Sequence, residues 1–258
     1  MSALRLFPIP VVVTSRCLGF EACRYDGAML PFPWAERWRG YVRFQPVCPE
    51  RDMGLPAPRP SMRLVQGESG PRLMQPDTGE DLTDRMAAFT RAWLDDLPQA
   101  DGFIFKEKSP SCGLRKTKRF QGLTDLEPVE RGAGLFAEAA TLRHFLKPAA
   151  DEEALADDRV RDGFLIRLFA SAALHQARRA QTLEALQKAY ARYRPLVEES
   201  WAARAEELDR ILAPKEWASF DRVADALEEG LLGALKRRNP REPAPVERHL
   251  YPEALRGI

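Results

Sequence analysis

The stretch Ile9-Pro-Val-Val-Val-Thr-Ser15 decides the fold, and Gly102-Phe-Ile-Phe-Lys106 is a similar apolar segment further along the chain. The first is rich in β-branched residues, which is typical of a strand buried on both faces. Between the two, residues 81–97 carry apolar side chains at helical spacing, with Asp81 or Thr83 as a candidate N-cap. This alternation of strand, helix and strand predicts an α/β fold with a Rossmann-like parallel sheet.

Shorter elements are predicted between these segments. Tyr41-Val-Arg-Phe-Gln-Pro-Val47 is a second strand, Arg63-Leu-Val-Gln66 is a short one, and residues 34–38 form a short helix. Residues 48–61 are expected to be loop, because proline disfavours regular elements and the segment contains Pro49, Pro56, Pro58 and Pro60.

The chain changes character after Lys118. A helix is predicted over 134–147, followed by a break rich in Pro, Ala and acidic residues at 148–157. Further helices are predicted over 159–176, 181–212 and 217–237, and the tail 238–258 is expected to be irregular. Pro195 is expected to kink or split the second of these helices. We therefore predict a sheet domain over residues 1–150 and an all-helical C-terminal domain over residues 151–258.

Length and composition limit the classes of protein. The 258 residues suit one large or two modest domains, and the net charge of +1 selects neither nucleic acid nor membrane as a partner. No stretch approaches the roughly 20 apolar residues of a membrane helix. The apolar N-terminal run contains Pro8 and Pro10 and lacks a cleavage pattern, so a strand is favoured over a signal peptide. We expect a cytoplasmic protein whose thiols stay reduced.

All four cysteines lie within the first 112 residues. A reducing compartment disfavours disulfides, which leaves a metal, a cluster or a catalytic thiol as explanations. Cys17, Cys48 and Cys112 each follow a predicted strand, and the carboxyl ends of parallel strands share the edge where ligands bind. We therefore expect these three to converge, whereas Cys23 lies further along its loop.

The cysteines belong to loops that contain Gly or Pro: Ser15–Gly27, Pro46–Glu50 continuing through Gly54–Pro60, and Lys108–Gly113. Such loops expose backbone N–H groups that bind sulfides and lower thiolate pKa values. No Cys-x2-Cys pair occurs, which disfavours zinc ribbons and ferredoxin-like sites. The alternative is a set of scattered buried cysteines that act as small hydrophobic residues.

Together the three motifs resemble the thiouracil desulfidase family. The similarity is carried by the Ser-x-Cys-Leu loop leading to Arg-Tyr-Asp-Gly27, by Pro-Val-Cys-Pro-Glu50 with Gly-Leu-Pro-x-Pro-Arg59, and by Ser-Pro-Ser-Cys-Gly113. It spans residues 9–147. One departure lies in the first loop, where Gly19 comes one position early and Phe20 stands where the family has Gly.

The resemblance implies a 4Fe-4S cluster held by Cys17, Cys48 and Cys112, with one open iron that acts as a Lewis acid on sulfur. It also implies a non-redox desulfidase that exchanges the sulfur of a thiolated pyrimidine for oxygen from water and releases sulfide. The implied substrate is 2-thiouracil, a 4-thiouridine nucleotide or a thiolated tRNA. Cys23 is not expected to be a ligand, although an exchange with Cys17 stays open.

Two polar residues beside the implied ligands are candidates for catalysis. Glu50 lies two residues from Cys48 and is predicted to be the general acid/base. Ser111 directly precedes Cys112 and is predicted to orient the substrate or a water. The alternatives are a solvated surface carboxylate for Glu50 and a turn residue bonded to its own backbone for Ser111. Asp26 is interpreted as a structural carboxylate that binds turn N–H groups, with a catalytic role as its alternative.

Features outside the three motifs bear on the partner. The basic run Arg115–Arg119, with Lys106 and Lys108, is either a phosphate site, which would favour a nucleotide or RNA, or a solvated face. Arg161–Ala170 resembles the helix that connects a second domain in tRNA-directed members of the family, but the motifs of that companion domain are not found. The aromatic stripe within 181–212 is interpreted as core. The three histidines, His144, His175 and His249, are assigned no role.

Two other functions compete with the enzyme. One is a non-catalytic cluster-binding sensor or sulfur carrier, with the helical part as a docking module. The other is a structural zinc protein that uses the same thiolates.

Overall fold

The computed structural model describes residues 7–213, 219–238 and 250–255. Its strands in chain order are β1 Val11–Ser15, β2 Arg43–Val47, β3 Arg63–Val65, β4 Arg72–Gln75, β5 Glu80–Asp81, β6 Gly102–Phe105, β7 Thr117–Phe120, β8 Glu130–Gly132 and β9 Ala149–Asp151. Its helices are α1 Pro33–Arg37, α2 Pro49–Asp52, α3 Thr83–Asp95, α4 Leu135–Arg143, α5 Asp158–Ala180, α6 Leu183–Ile211 and α7 Phe220–Arg237.

The central sheet is parallel, in the order β2-β1-β6-β9. Its middle strand β1 is buried along its whole length, as its run of β-branched residues predicts. All four strands therefore end at one edge of the sheet. The α/β fold with a parallel sheet and a helical C-terminal region is confirmed.

A second sheet of small strands lies beside the first, in the order β5-β4-β3-β7-β8. It is antiparallel except where β3 pairs with β7. Of its strands, only β3 was predicted from the sequence. The others are two to four residues long, which is too short for alternation between apolar and polar residues to be informative.

Two predictions for the loops are wrong. Residues 48–61 were expected to be loop, but they contain α2, whose first residue is Pro49. Proline is well tolerated at the first position of a helix, because the N–H that it lacks would have no partner within the helix. The predicted break at 148–157 contains β9, a three-residue strand that pairs with β6.

The two faces of the central sheet are covered by different helices. On one face, Val13 and Phe103 belong to an apolar cluster with Met86 of α3 and Phe136 of α4. On the other, Val12 and Ile104 belong to a cluster with α5, α6 and α7. One apolar core therefore contains residues from both predicted domains, and the division at residue 150 stays a prediction.

The C-terminal helices agree with the prediction except within α6. The backbone there leaves helical geometry at Trp201 (φ −161°, ψ 75°) rather than at Pro195. The Tyr190 hydroxyl donates to the Ala205 carbonyl over 3.1 Å, and Arg194 is paired with Asp209. These contacts between residues on either side of Trp201 show that the chain reverses direction there. The buried Tyr190 and Tyr193 agree with the interpretation of the aromatic stripe as core.

Within the described ranges, no helix has both the length and the apolar content needed to cross a bilayer. Most of the tail predicted to be irregular, including His249, lies outside the described residues; within the tail, a short 3-10 turn forms at Glu253–Leu255.

Candidate active site

A cavity of about 410 Å³ opens at the carboxyl edge of the central sheet, and all four cysteines line it. Cys17 follows β1 and Cys48 follows β2, while Cys112 lies in the loop after β6. The structure thus brings together the three cysteines that the strand pattern placed at this edge. It also brings in Cys23, which the sequence interpretation had set apart.

The environment of Cys23, Cys48 and Cys112 raises the pKa of each thiol and so favours its protonated form. Burial raises the pKa of the Cys112 thiol, while the hydroxyl of Ser15 acts in the opposite direction. A hydrogen bond with the Cys23 thiol, together with burial, raises the pKa of Cys48. Ligation to a cation requires thiolates, so loading of a metal or cluster here is coupled to the release of protons.

Cys23 lies among the other thiols rather than apart from them. Its sulfur interacts with the thiols of both Cys17 and Cys48, and the bond with Cys17 is the main reason that its pKa rises to about 11. The Cys48 Sγ lies 3.9 Å from the Cys23 carbonyl oxygen. The Cys23 side chain is fully buried. The choice of three ligands among the four cysteines stays a prediction.

Glu50 lies in the first turn of α2 and is 8% exposed. Its Oε1 accepts a hydrogen bond of 2.7 Å from the Ser111 hydroxyl, and its Oε2 is ion-paired with the Arg59 guanidinium. The structure therefore places both predicted catalytic residues in direct contact. The alternative interpretations, a solvated carboxylate and a turn hydroxyl, do not describe these side chains.

Arg59 was missed as a site residue. It is 8% exposed and lines the cavity, and its Nε donates to Glu50 Oε2 over 3.0 Å. The signal available in the sequence was its position within the Gly54–Pro60 part of the second motif. A carboxylate expected at a buried site requires a cationic or hydrogen-bonding partner, and Arg59 is a cation nearby in the sequence.

The third cysteine loop is fixed by its own hydroxyls and by α4. The Ser109 Oγ accepts hydrogen bonds from the backbone N–H groups of Ser111 and Cys112, at 3.2 and 3.1 Å. At the start of α4, Phe136 N–H donates to the Ser111 carbonyl over 3.0 Å. Gly134 permits this approach, because a Cβ at that position would lie 2.6 Å from the Ser111 carbonyl carbon.

Glu107 shapes the rim of the cavity, and sequence reasoning missed it. This buried carboxylate accepts hydrogen bonds from the backbone N–H groups of Lys108 and Lys116, at 3.0 and 2.8 Å. Lys108 itself has a positive φ of 65°. The side chain therefore stabilises the turn that carries the basic run past the cavity.

The lysines around the cavity mouth are paired with carboxylates. Lys106 pairs with Glu152, and both Lys108 and Lys116 pair with Glu153. The two lysines, Lys108 first, lower the pKa of Glu153 to about 2. The basic run thus offers less free positive charge than its sequence indicates.

Asp26 and His175 do not line the cavity. The Asp26 carboxylate accepts a hydrogen bond from Ala28 N–H over 3.0 Å, as expected of a structural turn residue. His175 belongs to a separate buried network, where its Nδ1 lies 2.6 Å from Asp101 Oδ1. His144 does not line the cavity. In the described residues, no three His, Cys, Asp or Glu side chains form a site for a single metal ion.

The fold and the site define a class of protein: an α/β protein with a cysteine-lined pocket and a buried carboxylate at the carboxyl edge of its parallel sheet. Within that class, the chain belongs to the 2-thiouracil desulfurase family, whose model matches residues 12–153. The match confirms the resemblance drawn from the three cysteine motifs. It includes every residue that lines the pocket, whereas α5, α6 and α7 lie beyond it.

One solved structure is similar to part of the chain. It is the 4Fe-4S-dependent thiouracil desulfidase TudS, which is 27% identical to this chain. The alignment covers 57% of this chain and 93% of that one, with a TM-score of 0.44. No curated protein matched the chain.

Proposed function

We propose that this protein is a cluster-dependent desulfidase that removes the sulfur of a thiolated pyrimidine and releases sulfide in the cytoplasm. One observation carries the proposal: Cys17, Cys48 and Cys112 meet in a single cavity beside the buried Glu50–Ser111 pair. Membership of the 2-thiouracil desulfurase family supports the same chemistry.

The donor set fits a 4Fe-4S cluster. Cysteine thiolates are the usual protein ligands of such clusters, and all four cysteines line the cavity. A set of three cysteine ligands leaves one cluster corner without a protein ligand. In this proposal Cys17, Cys48 and Cys112 hold the cluster, and Cys23 does not. When bound, the cluster supplies a Lewis-acid iron with affinity for sulfur.

The side chains around the cavity supply proton transfer and orientation. The net reaction converts a thiocarbonyl and water to a carbonyl and hydrogen sulfide, so it needs no oxidant or reductant. Glu50 accepts a proton from the attacking water and returns it to the departing sulfur. Ser111, fixed by its hydrogen bond to Glu50 Oε1, orients the water or the base.

The charges at the cavity mouth favour a free base over a nucleotide. A nucleotide or a tRNA would need unpaired cations for its phosphates. Lys106, Lys108 and Lys116 instead face Glu152 and Glu153. We propose an uncharged thiolated pyrimidine such as 2-thiouracil as the preferred substrate, with thiouridine nucleotides and thiolated tRNA as weaker ones.

The test is an anaerobic substrate screen of the full-length protein after cluster reconstitution. A brown preparation that converts 2-thiouracil to uracil with equimolar sulfide is expected, with a lower kcat/KM for 4-thiouridine monophosphate. Glu50→Gln and Ser111→Ala should keep the brown colour and lose turnover.

The rival functions predict different results from the same screen. A brown protein that releases no sulfide from any thiolated base would identify a sensor or a sulfur carrier. A colourless protein that holds zinc and no iron would identify a structural zinc protein.

A further inference from the structure

Arg59 contacts two of the three cysteine loops directly and reaches the third through Glu50. Its guanidinium side chain is only 2% exposed. Its Nη1 donates to the carbonyl oxygens of Cys23 and Pro56, each over 3.0 Å. Its backbone N–H donates to the Tyr25 carbonyl over 2.8 Å. The remaining face of the guanidinium, Nε and Nη2, binds Glu50 Oε2.

The geometry of these contacts determines where the Glu50 carboxylate points. With Oε2 bound to the guanidinium, Oε1 is turned towards the Ser111 hydroxyl, 2.7 Å away. The guanidinium is itself held by the two carbonyl oxygens on its other edge, so it is a fixed anchor. Arginine suits this role because its planar fork makes several directed hydrogen bonds at once, which a lysine ammonium cannot reproduce.

We infer that Arg59 is a positioning residue for the desulfidase reaction: it sets the orientation of Glu50 and, through Glu50, of Ser111. The inference rests on the proposed function. Arg59 is almost fully buried and acts through the carboxylate, so it is not a catalytic residue in its own right. Its loss should lower the rate of the chemical step rather than the binding of the substrate.

The first test compares the full-length variants Arg59→Lys and Arg59→Ala after anaerobic reconstitution. Both should hold the same iron as the native protein, while kcat falls about 100-fold and KM changes little, since a small misplacement of a catalytic group has an effect of that size. Millimolar guanidinium should restore part of the lost kcat in Arg59→Ala and none in Arg59→Lys. The matched control is Arg194→Lys, because Arg194 makes a similar ion pair with Asp209 in α6.

Three results of this first test would overturn the inference. A native kcat in Arg59→Lys would show that the planar guanidinium with its several directed hydrogen bonds is not needed. Failure of guanidinium to restore kcat in an iron-replete Arg59→Ala would show that the loss has another cause. Loss of iron from both variants would make Arg59 a scaffold for the cysteine loops rather than a positioning residue.

The second test needs no turnover. In the full-length chain before cluster loading, Arg59→Lys and Glu50→Gln should each lower Tm, and the double variant should lower it by less than the sum of the two shifts. Additive shifts would show that the two side chains are not coupled and would overturn the inference. An iron-replete native protein that releases no sulfide would instead overturn the proposed function, while this comparison would still report on the contact between Arg59 and Glu50.

Discussion

Cys23 is a fully buried residue that touches two of the thiols assigned to the cluster. A serine at this position keeps nearly the same volume and a polar group that can hydrogen-bond with the neighbouring thiols. We predict that Cys23→Ser binds the same amount of iron as the native protein after anaerobic reconstitution, whereas Cys112→Ser loses most of it. Iron and acid-labile sulfide content measure this directly.

The matched comparison for that prediction is Cys17→Ser, because Cys17 and Cys23 lie in one loop and touch each other. Retention of iron by Cys17→Ser together with its loss from Cys23→Ser would exchange the two assignments.

Gly134 is a residue whose lack of a side chain shapes the site. A Cβ there would meet backbone atoms of the third cysteine loop, including the Ser109 carbonyl oxygen at 2.8 Å. We predict that Gly134→Ala lowers the free energy of unfolding by about 1–3 kcal/mol, a usual result of overpacking. It should also reduce iron binding, because the loop carrying Cys112 must move.

Chemical denaturation and iron content measure the two effects. Gly233→Ala in α7 is the matched control, since a Cβ there meets nothing within 4 Å, and it should be neutral or slightly stabilising. Equal effects of the two alanines would contradict the steric explanation.

At the residue scale, the sequence predicted the position of a site residue wherever that residue follows a predicted strand. Cys17 and Cys48 could be placed at the sheet edge for this reason, and Glu50 and Ser111 were inferred from the cysteines beside them. The roles of Cys23 and Arg59 depend on contacts between loops, such as the Arg59 bond to the Cys23 carbonyl 36 residues away. No local pattern encodes such contacts.

At the scale of elements, a buried polar network connects β6, α5 and α7. Asp101, directly before β6, binds His175 and Ser171 of α5, while Lys147 binds Ser171 and also pairs with Glu228 of α7. Removing one partner of a buried charged pair leaves the other uncompensated. We predict that Asp101→Ala costs about 3 kcal/mol or more of stability, measured by urea unfolding.

The control for this network is Asp225→Ala, which breaks an exposed pair between α7 and Arg178 of α5. An exposed ion pair contributes about 0–1 kcal/mol to stability. A similar loss of stability in Asp225→Ala and Asp101→Ala would therefore contradict the explanation from burial.

The Asp101 carboxylate also predicts how the stability of the protein depends on pH. Desolvation by burial raises the pKa of Asp101, but interactions with His175 and hydrogen bonds from Val11 N–H and Gln99 outweigh it, and the net pKa lies below its usual value. A lowered folded-state pKa adds stability that is present above the unfolded pKa of about 3.9 and disappears as the pH falls through the folded value. The stability difference between native protein and Asp101→Asn should therefore shrink as the pH falls below about 4.

Urea unfolding at a series of pH values measures that difference. The titratable and cationic groups that face Asp101 include His175 and, beyond it, Lys147. A difference that grew as the pH fell below about 4 would show that Asp101 is not the group responsible.

The elements differ in how far the sequence could predict them. The helices α5, α6 and α7 were predicted within a few residues, because each carries an apolar stripe over many turns. The second sheet was missed because its strands are short and their pairing joins distant segments, as in the parallel contact of β3 with β7. A kink or split was expected at Pro195, but the helix breaks at Trp201, because sequence shows a helix breaker but not the packing that bends the chain elsewhere.

At the scale of the whole molecule, the helical part covers one face of the central sheet. Ile104 of β6 and Trp38 are buried in the same apolar cluster as Phe164 and Leu165 of α5. We predict that a chain ending at Asp157 exposes this face and aggregates or fails to unfold cooperatively. A chain ending at Gln181, which keeps α5, should retain a cooperative thermal unfolding transition. Circular dichroism monitors the unfolding of both truncated chains.

Cooperative unfolding of both truncated chains would contradict this prediction. If both unfold cooperatively, residues 1–150 form an independent domain and the shared core is an interface between two stable units.

The order of the central sheet also has a consequence for biosynthesis. Because β6 lies between β1 and β9, the edge that gathers Cys17, Cys48 and Cys112 needs strands from early and late positions of the chain. During translation, the first two cysteines leave the ribosome long before the third, and they have no finished edge on which to meet. In the proposed function, iron delivery would therefore have to wait until the chain through β9 has been made, so the maturation machinery would encounter a folded sheet rather than the first cysteines alone.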